Sequence, residues 1–434
     1  MTYRYHEIIE ELSKKGSVPG LETMCHLLDY LDHPEKDLRI VHAAGTNGKG
    51  STLAFLAEIL IQSGYSVGRY ISPTIRCYAE RFQIDHHFIS EERMEIYYKR
   101  IREISEQMRE KGLETPTIFE AETAIALLYF REEHVDYALI ETGMGGLMDA
   151  TNAIRNPFLT MITSISEDHK GFLGDSIEEI AAQKAGIIKS CAPVILAENP
   201  ESVRQVILRQ CKEKETTCSV NTEKDFIIIE ETPYGNRFEW QGDSYQIMLP
   251  GAHQISNAMT ALSAAEALSQ MAGGEKISRD SMKSGLYHMR WPGRLELLST
   301  DPYIYLDGAH NPDGAAKLAE FLQKHFTNKR IVYIMGVLGD KEYGRMLAEL
   351  MPLAAAAYVF RPANARGLDA ACLAEAMAPY GIPVTVCPDV YAAYRQALEH
   401  EEADCFVVCG SLSFIEELMQ KLHRNKESDI DEDR

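Results

Sequence analysis

The sequence predicts an α/β protein of two lobes, each a mostly parallel sheet with helices on both faces. Three observations carry that prediction. From residue 39 to about 197, short apolar runs alternate with amphipathic stretches, the pattern of repeated strand–helix units. A proline–glycine break at Arg290-Trp-Pro-Gly-Arg294 ends that region, and a second alternation runs from Tyr303 to Cys409. Between the first predicted strand and its helix lies a glycine-punctuated loop with one lysine, Gly45-Thr-Asn-Gly-Lys-Gly50.

In chain order, apolar runs place strands at Arg39–Ala43, Ser66–Ile71, Tyr137–Thr142, Phe158–Ser164 and Pro193–Ala197. Helical spacing falls between them, at Ser51–Gln62, Glu91–Lys111, Thr117–His134 and Ile177–Ile187. A strand-rich section follows: Phe226–Ile229, Arg237–Trp240 and Tyr245–Leu249, separated by the turn residues Pro233-Tyr-Gly235 and Gln241-Gly-Asp243. Helix Ser256–Met271 and a shorter helical stretch lead to the break. Beyond it, strands are expected at Tyr303–Leu306, Ile331–Met335, Ala356–Phe360, Val384–Cys387 and Cys405–Cys409, each followed by a helical stretch. The expected organisation is an N-terminal phosphate-loop ATPase domain over residues 1–295, with a mostly parallel sheet and a small extra β section. A C-terminal Rossmann-like α/β domain follows over 296–424, then a disordered acidic tail over 425–434.

Composition narrows the class. At 434 residues the chain is too long for one ordinary core, and 45% apolar with 25% charged residues is a globular balance. A formal charge of −21 argues against nucleic acid, which is bound by concentrated Lys and Arg. The nine cysteines are odd in number and irregularly spaced, which fits a reduced, cytoplasmic protein. No signal peptide is apparent, and no apolar run approaches the roughly 18 residues needed to span a bilayer. A monomer acting on small molecules, without membrane or nucleic-acid partners, is the expectation.

The loop is the sharpest chemical signal. Glycines let backbone N–H groups of Gly45, Thr46, Asn47, Gly48, Gly50 and Ser51 turn toward phosphate oxygens. The helix N-terminus adds a positive dipole, and Lys49 reaches the terminal phosphates. In the common version the residue after lysine gives a hydroxyl to magnesium. Here it is Gly50, and Ser51 comes about 100° further round the helix. Ser72, in Tyr70-Ile-Ser-Pro-Thr74, is the first candidate to supply the missing hydroxyl.

Open parallel sheets bind ligands at the carboxyl ends of their strands. Glu141, ending one strand in Glu141-Thr-Gly-Met-Gly-Gly146, is either a well-placed magnesium ligand or a loop carboxylate capping a turn. His169, in Ser166-Glu-Asp-His169, either ligates a second metal or caps a helix. Lys184 and Lys189 either bind phosphate or lie on the surface. In the second lobe Asp307-Gly-Ala-His-Asn-Pro312 directly follows a strand; an Asn-Pro turn accounts for Asn311 and Pro312 but not for Asp307 and His310 together. Gly410-Ser-Leu-Ser413 repeats that placement at the last strand. Arg294, beside the break, either touches a phosphate across the cleft or pairs with a carboxylate.

The loop variant resembles that of the Mur-ligase superfamily, ATP-driven enzymes that join a carboxylate to an amine. Within it, the order of motifs resembles the folylpolyglutamate synthase/dihydrofolate synthase family along nearly the whole chain. The likeness runs through Gly20-Leu-Glu, His42 to Ser51, Ser72-Pro73, Glu80-Arg81, Thr117-Ile-Phe-Glu120, Gly145-Gly146 and Asp149-Ala-Thr-Asn152. It continues through Asp168-His169, Lys184 to Lys189, Gly251-Ala-His-Gln254 with Asn257, Trp291 to Arg294, Asp307 to Pro312 and Gly410-Ser411.

The resemblance implies that ATP phosphorylates a folate or pteroate carboxylate and that L-glutamate's amine attacks the acyl phosphate. It implies Ser72 and Glu141 at one magnesium, and His169 with a carbamylated Lys184 at a second. Asn257, Arg294 and Asp307 would then contact ATP, His310 and Ser411 would position glutamate, and Phe119 and Glu120 would lie near the pterin-bearing substrate. Two positions depart from the family pattern. Thr74 stands where histidine is usual, and Leu147 where arginine is usual. Both fall by the acceptor pocket, so the alternatives are the same chemistry on another carboxylate, or an ATP-binding regulator without catalysis.

Overall fold

The computed structural model describes residues 5–16, 18–168, 171, 173–190, 192–271 and 277–422. His169 and the expected tail over 425–434 lie outside the described residues.

The first sheet has eight strands: β1 Ile40–Ala44, β2 Val67–Tyr70, β3 Phe82–Ile84, β4 His87–Phe88, β5 Tyr137–Glu141, β6 Leu159–Ile162, β7 Val194–Leu196 and β8 Cys218–Val220. Their order is β4-β3-β2-β5-β1-β6-β7-β8, antiparallel at β2–β3–β4 and parallel elsewhere. β1 and β5 therefore lie side by side at the centre, with Ala43 opposite Glu141. Both strands are buried throughout, which is why the sequence there is apolar without alternation.

Helix Lys49–Gln62 is buried along most of its length. It packs beneath helices Ala252–Met271 and Arg279–His288, where Gly285 permits close approach: a Cβ there would stand 2.5 Å from Ile59 Cα. The strand-rich section forms a separate antiparallel sheet of β9 Phe226–Thr232, β10 Gly235–Trp240 and β11 Asp243–Ile247. Phe238, Trp240 and Tyr245 extend the same core.

The second lobe has six strands: β12 Glu296–Thr300, β13 Tyr303–Leu306, β14 Ile331–Met335, β15 Ala354–Val359, β16 Val384–Val386 and β17 Cys405–Cys409, in the order β12-β13-β17-β14-β15-β16. Only β12–β13 is antiparallel. Successive residues serve opposite faces. Tyr305, Tyr333 and Val407 enter one core, while Leu306, Ile334 and Val408 enter the other.

Several elements differ from the sequence reading. Helices Tyr5–Ser13, Glu22–Tyr30 and Glu201–Glu213, and strands β3, β4, β8 and β12, were not anticipated. The phosphate-loop helix starts at Lys49 rather than Ser51, because a turn can close as soon as Gly48, at φ +82°, has reversed the chain. Helix Ala252–Met271 likewise begins one turn before Ser256.

Candidate active site

A cleft of about 1200 Å³ opens between the two lobes, at the carboxyl ends of β1, β5 and β6 on one side and β13 on the other. Gly45, Thr46, Asn47, Gly48, Lys49, Gly50, Ser51, Ser72, Glu141, Lys184, Asn257, Arg294, Asp307 and His310 all line it. Gly48 and His310 thus face one shared space.

The loop is held by the segment after β6. Thr46 N donates to Ser164 O at 2.8 Å, and Ser166 N donates to Thr46 Oγ1 at 3.1 Å. Side chains are excluded at two positions. A Cβ on Gly48 would meet Asn257 Oδ1 at 2.3 Å, and one on Gly50 would meet the Trp291 ring at 2.8 Å and Glu141 Oε2 at 3.6 Å. The crowding explains why the residue after lysine carries no hydroxyl here. Lys49 Nζ donates to Gly45 O at 3.1 Å and lies 3.8 Å from Glu141 Oε1.

Burial raises the Glu141 carboxyl above its ordinary range, opposed by Lys49, a hydrogen bond from the Ser72 backbone, Arg294 and Arg69. Asp307 is raised for the same reason, again opposed by Arg294. Arg294 therefore faces two buried carboxylates, one from each lobe. Asp307 Oδ2 accepts from Leu295 N and Oδ1 from Ala309 N, both at 2.8 Å. Leu295 has φ +44°, a left-handed conformation that a leucine adopts only when held, so Asp307 fixes the junction between the lobes.

Lys184 Nζ donates to Gly45 O at 2.8 Å, and burial together with Lys49 lowers its pKa to about 7. His310 is lowered to about 4, chiefly by burial. Its Nδ1 lies 2.8 Å from Gly308 O, and a carbonyl only accepts, so Nδ1 carries the proton and Nε2 keeps a lone pair.

Three expected site residues do not themselves line the cleft. Glu120 closes a capping box, accepting from Thr117 N at 2.7 Å and Thr117 Oγ1 at 2.8 Å. Phe119 packs against the loop after β5 at the lining residue Gly143, where a Cβ would stand 2.5 Å from its ring. Ser411 caps the turn Leu412–Phe414, and its neighbour Leu412 reaches the cleft. Thr74 falls between the lining residues Pro73 and Ile75. Leu147 is 44% exposed, two positions beyond the lining residue Gly145.

Sequence reasoning missed Lys341, which pairs with Asp168 across the lobes at 3.1 Å. The signal was present: Lys341 follows the end of β14 much as His310 follows β13.

A phosphate cradle and a neutral imidazole lining one two-lobed cleft suit activation of a carboxylate by phosphate and then acyl transfer to an amine. Residues 43–265 match the Mur ligase middle domain and 293–412 the Mur ligase glutamate ligase domain, so this is a Mur-type ligase. The dihydrofolate synthase/folylpolyglutamate synthase of Bacillus subtilis (strain 168) is 37% identical over 416 residues, covering 94% of this chain and 96% of that one. The chain belongs to the dihydrofolate synthase/folylpolyglutamate synthase family. Folylpolyglutamate synthase of Mycobacterium tuberculosis, solved with ADP and AMPPCP, superposes with a TM-score of 0.83 at 28% identity, covering 96% of this chain and 98% of that one. E. coli FolC, solved with DHPP and ADP, gives a TM-score of 0.83 at 28% identity, covering 97% and 98%.

Proposed function

We propose that the protein is an ATP-dependent ligase joining L-glutamate to a folate-type carboxylate, either dihydropteroate, a folyl-glutamate or both. A carboxylate is a poor electrophile. Its oxygen first attacks the γ-phosphorus of ATP, and ADP leaves. The amine of glutamate then attacks the acyl carbon of the acyl phosphate, inorganic phosphate leaves, and the nitrogen gives up a proton. One observation carries this reading: Lys49 and Glu141 of the first lobe and His310 of the second line one cleft.

The chain's groups divide between the two steps. First-turn amides of helix Lys49–Gln62 and the Lys49 ammonium offset the charge spreading over the transferring phosphoryl group. Asn257, Arg294 and Asp307 are assigned to the nucleotide. His310, neutral across the working pH range, offers Nε2 to the amine, with Ser411 supporting that wall. The acceptor's pterin-bearing body is assigned to the region of Phe119 and Glu120.

The donor set fits magnesium. Among the described residues no three His, Cys, Asp or Glu side chains gather as a metal cage, and magnesium prefers one or two carboxylates plus phosphate oxygens and water. Glu141 and the Ser72 hydroxyl would hold it, and it would neutralise charge on the phosphates. A second ion is assigned to His169 and Lys184. As an amine, Lys184 only donates, so this ion requires carbon dioxide to add to its neutral form, giving an oxygen ligand. A pKa near 7 supplies that neutral amine.

Both halves of the site come from one chain, so we take the monomer as the acting unit, in the cytoplasm. Among the described residues no helix is long and apolar enough to cross a membrane, and the described cysteines are free. The test is phosphate release with purified protein, ATP and magnesium, against a panel of dihydropteroate and tetrahydrofolate acceptors. Release should need both glutamate and one of these acceptors. Tight ATP binding with no release on any of them would favour a different carboxylate or a regulator.

A further inference from the structure

Asn47 carries the phosphate loop across the cleft. Its Nδ2 donates to Asp313 Oδ2 at 2.7 Å, and its Oδ1 accepts from Asn311 Nδ2 at 3.0 Å. Asn311 is also the cap of helix Pro312–His325, its Oδ1 accepting from Gly314 N at 2.8 Å. Asn311 Nδ2 further reaches Asp168 Oδ2 at 3.3 Å, and Asp168 Oδ1 pairs with Lys341 at 3.1 Å. One run of hydrogen bonds thus joins the loop after β1, the segment after β6 and the helix after β13.

The sense of this run is fixed. A carboxylate only accepts, so Asn47 must turn its NH2 to Asp313 and its oxygen to Asn311. Asp313 sits in the first turn of its helix, where a negative charge is favoured. His310 immediately precedes Asn311, so any displacement of Asn311 moves the imidazole as well.

We propose that Asn311 and Asp313 are positioning residues for amide formation: through Asn47 they hold the His310 lobe in register with the phosphate loop. Phosphoryl transfer to the acceptor uses the first-lobe cradle together with Asp307, which the Leu295 and Ala309 amides hold apart from this run, so it does not depend on them, whereas attack by glutamate does. The assignment rests on the two-step reading above.

Two half-reactions separate these roles in the full-length protein with ATP, magnesium and dihydropteroate. Hydroxylamine traps the acyl phosphate as a hydroxamate without needing a placed amine, and glutamate-dependent phosphate release reports the complete reaction. Asn311→Ser is the cleanest variant, since serine caps a helix as well as asparagine but cannot reach Asn47 or Asp168. It and Asp313→Ala should keep hydroxamate formation within about twofold of wild type. Glutamate-dependent kcat should fall about tenfold to a hundredfold, the loss expected for roughly 1 Å of misplacement, with a raised KM for glutamate. Asp313→Asn, which retains an oxygen for the Asn47 amide, should recover most of the loss. Parallel loss of both half-reactions, or loss of neither, overturns the positioning role. A wild-type protein that makes neither hydroxamate nor glutamyl product overturns the two-step reading itself.

Discussion

Replacing Lys49 by alanine should lower kcat for amide formation by about a thousandfold, comparable with the upper loss for removing one aimed donor from a transition-state cradle. The ammonium is held for this task by hydrogen bonds to Gly45 O and Thr46 O, at 3.1 and 3.4 Å, beside the Glu141 carboxylate. Its contribution to folding is small by comparison. Those carbonyls belong to its own loop, and Arg69 and Arg294 also face Glu141. The expected cost in stability is about 1–2 kcal/mol. Single-turnover phosphate release and a thermal melt, made on the same sample, separate the two effects. Near-normal turnover would remove Lys49 from the phosphate role.

Glu141→Gln should produce the second large loss, about 10²–10³ in kcat, because the amide keeps the shape of the carboxylate but loses its charge. The variant also tests the metal assignment without reference to activity. Ligands that bind the native state stabilise it, by about 2.7 kcal/mol at a hundredfold excess over Kd. Wild-type protein should therefore melt higher with ATP and magnesium together than with ATP alone. In Glu141→Gln the magnesium-dependent part of that rise should largely vanish. A variant that still responds fully to magnesium would place the ion elsewhere.

How far the sequence could be read depended on burial. β13, β14 and β17 match the predicted Tyr303–Leu306, Ile331–Met335 and Cys405–Cys409 residue for residue, because strands covered on both faces are apolar throughout. β3 and β4, with three and two residues, are too short to show any period. β12 lies at a sheet edge with partly exposed side chains, so its sequence carries little apolar signal. Among site residues, those just after strands were legible, because sheet topology alone gathers Lys49, Glu141, Asp307 and His310 at one end. Glu120 shows the opposite case. Thr117-Ile-Phe-Glu120 is a capping-box sequence, and the carboxylate is engaged at the start of its own helix. The run from Asn47 through Asn311 to Asp168 joins residues 143 or more positions apart, which spacing along a single chain cannot reveal.

The central claim is that phosphate is installed on the acceptor before the amine arrives, and oxygen labelling tests it most directly. An acceptor with both carboxylate oxygens as oxygen-18 is incubated with protein, ATP, magnesium and glutamate, and the phosphate released is analysed by mass. An acyl phosphate requires one labelled oxygen to leave with each phosphate, so phosphate heavier by one oxygen-18 should form in step with the amide. Amide formed alongside entirely unlabelled phosphate would contradict the account.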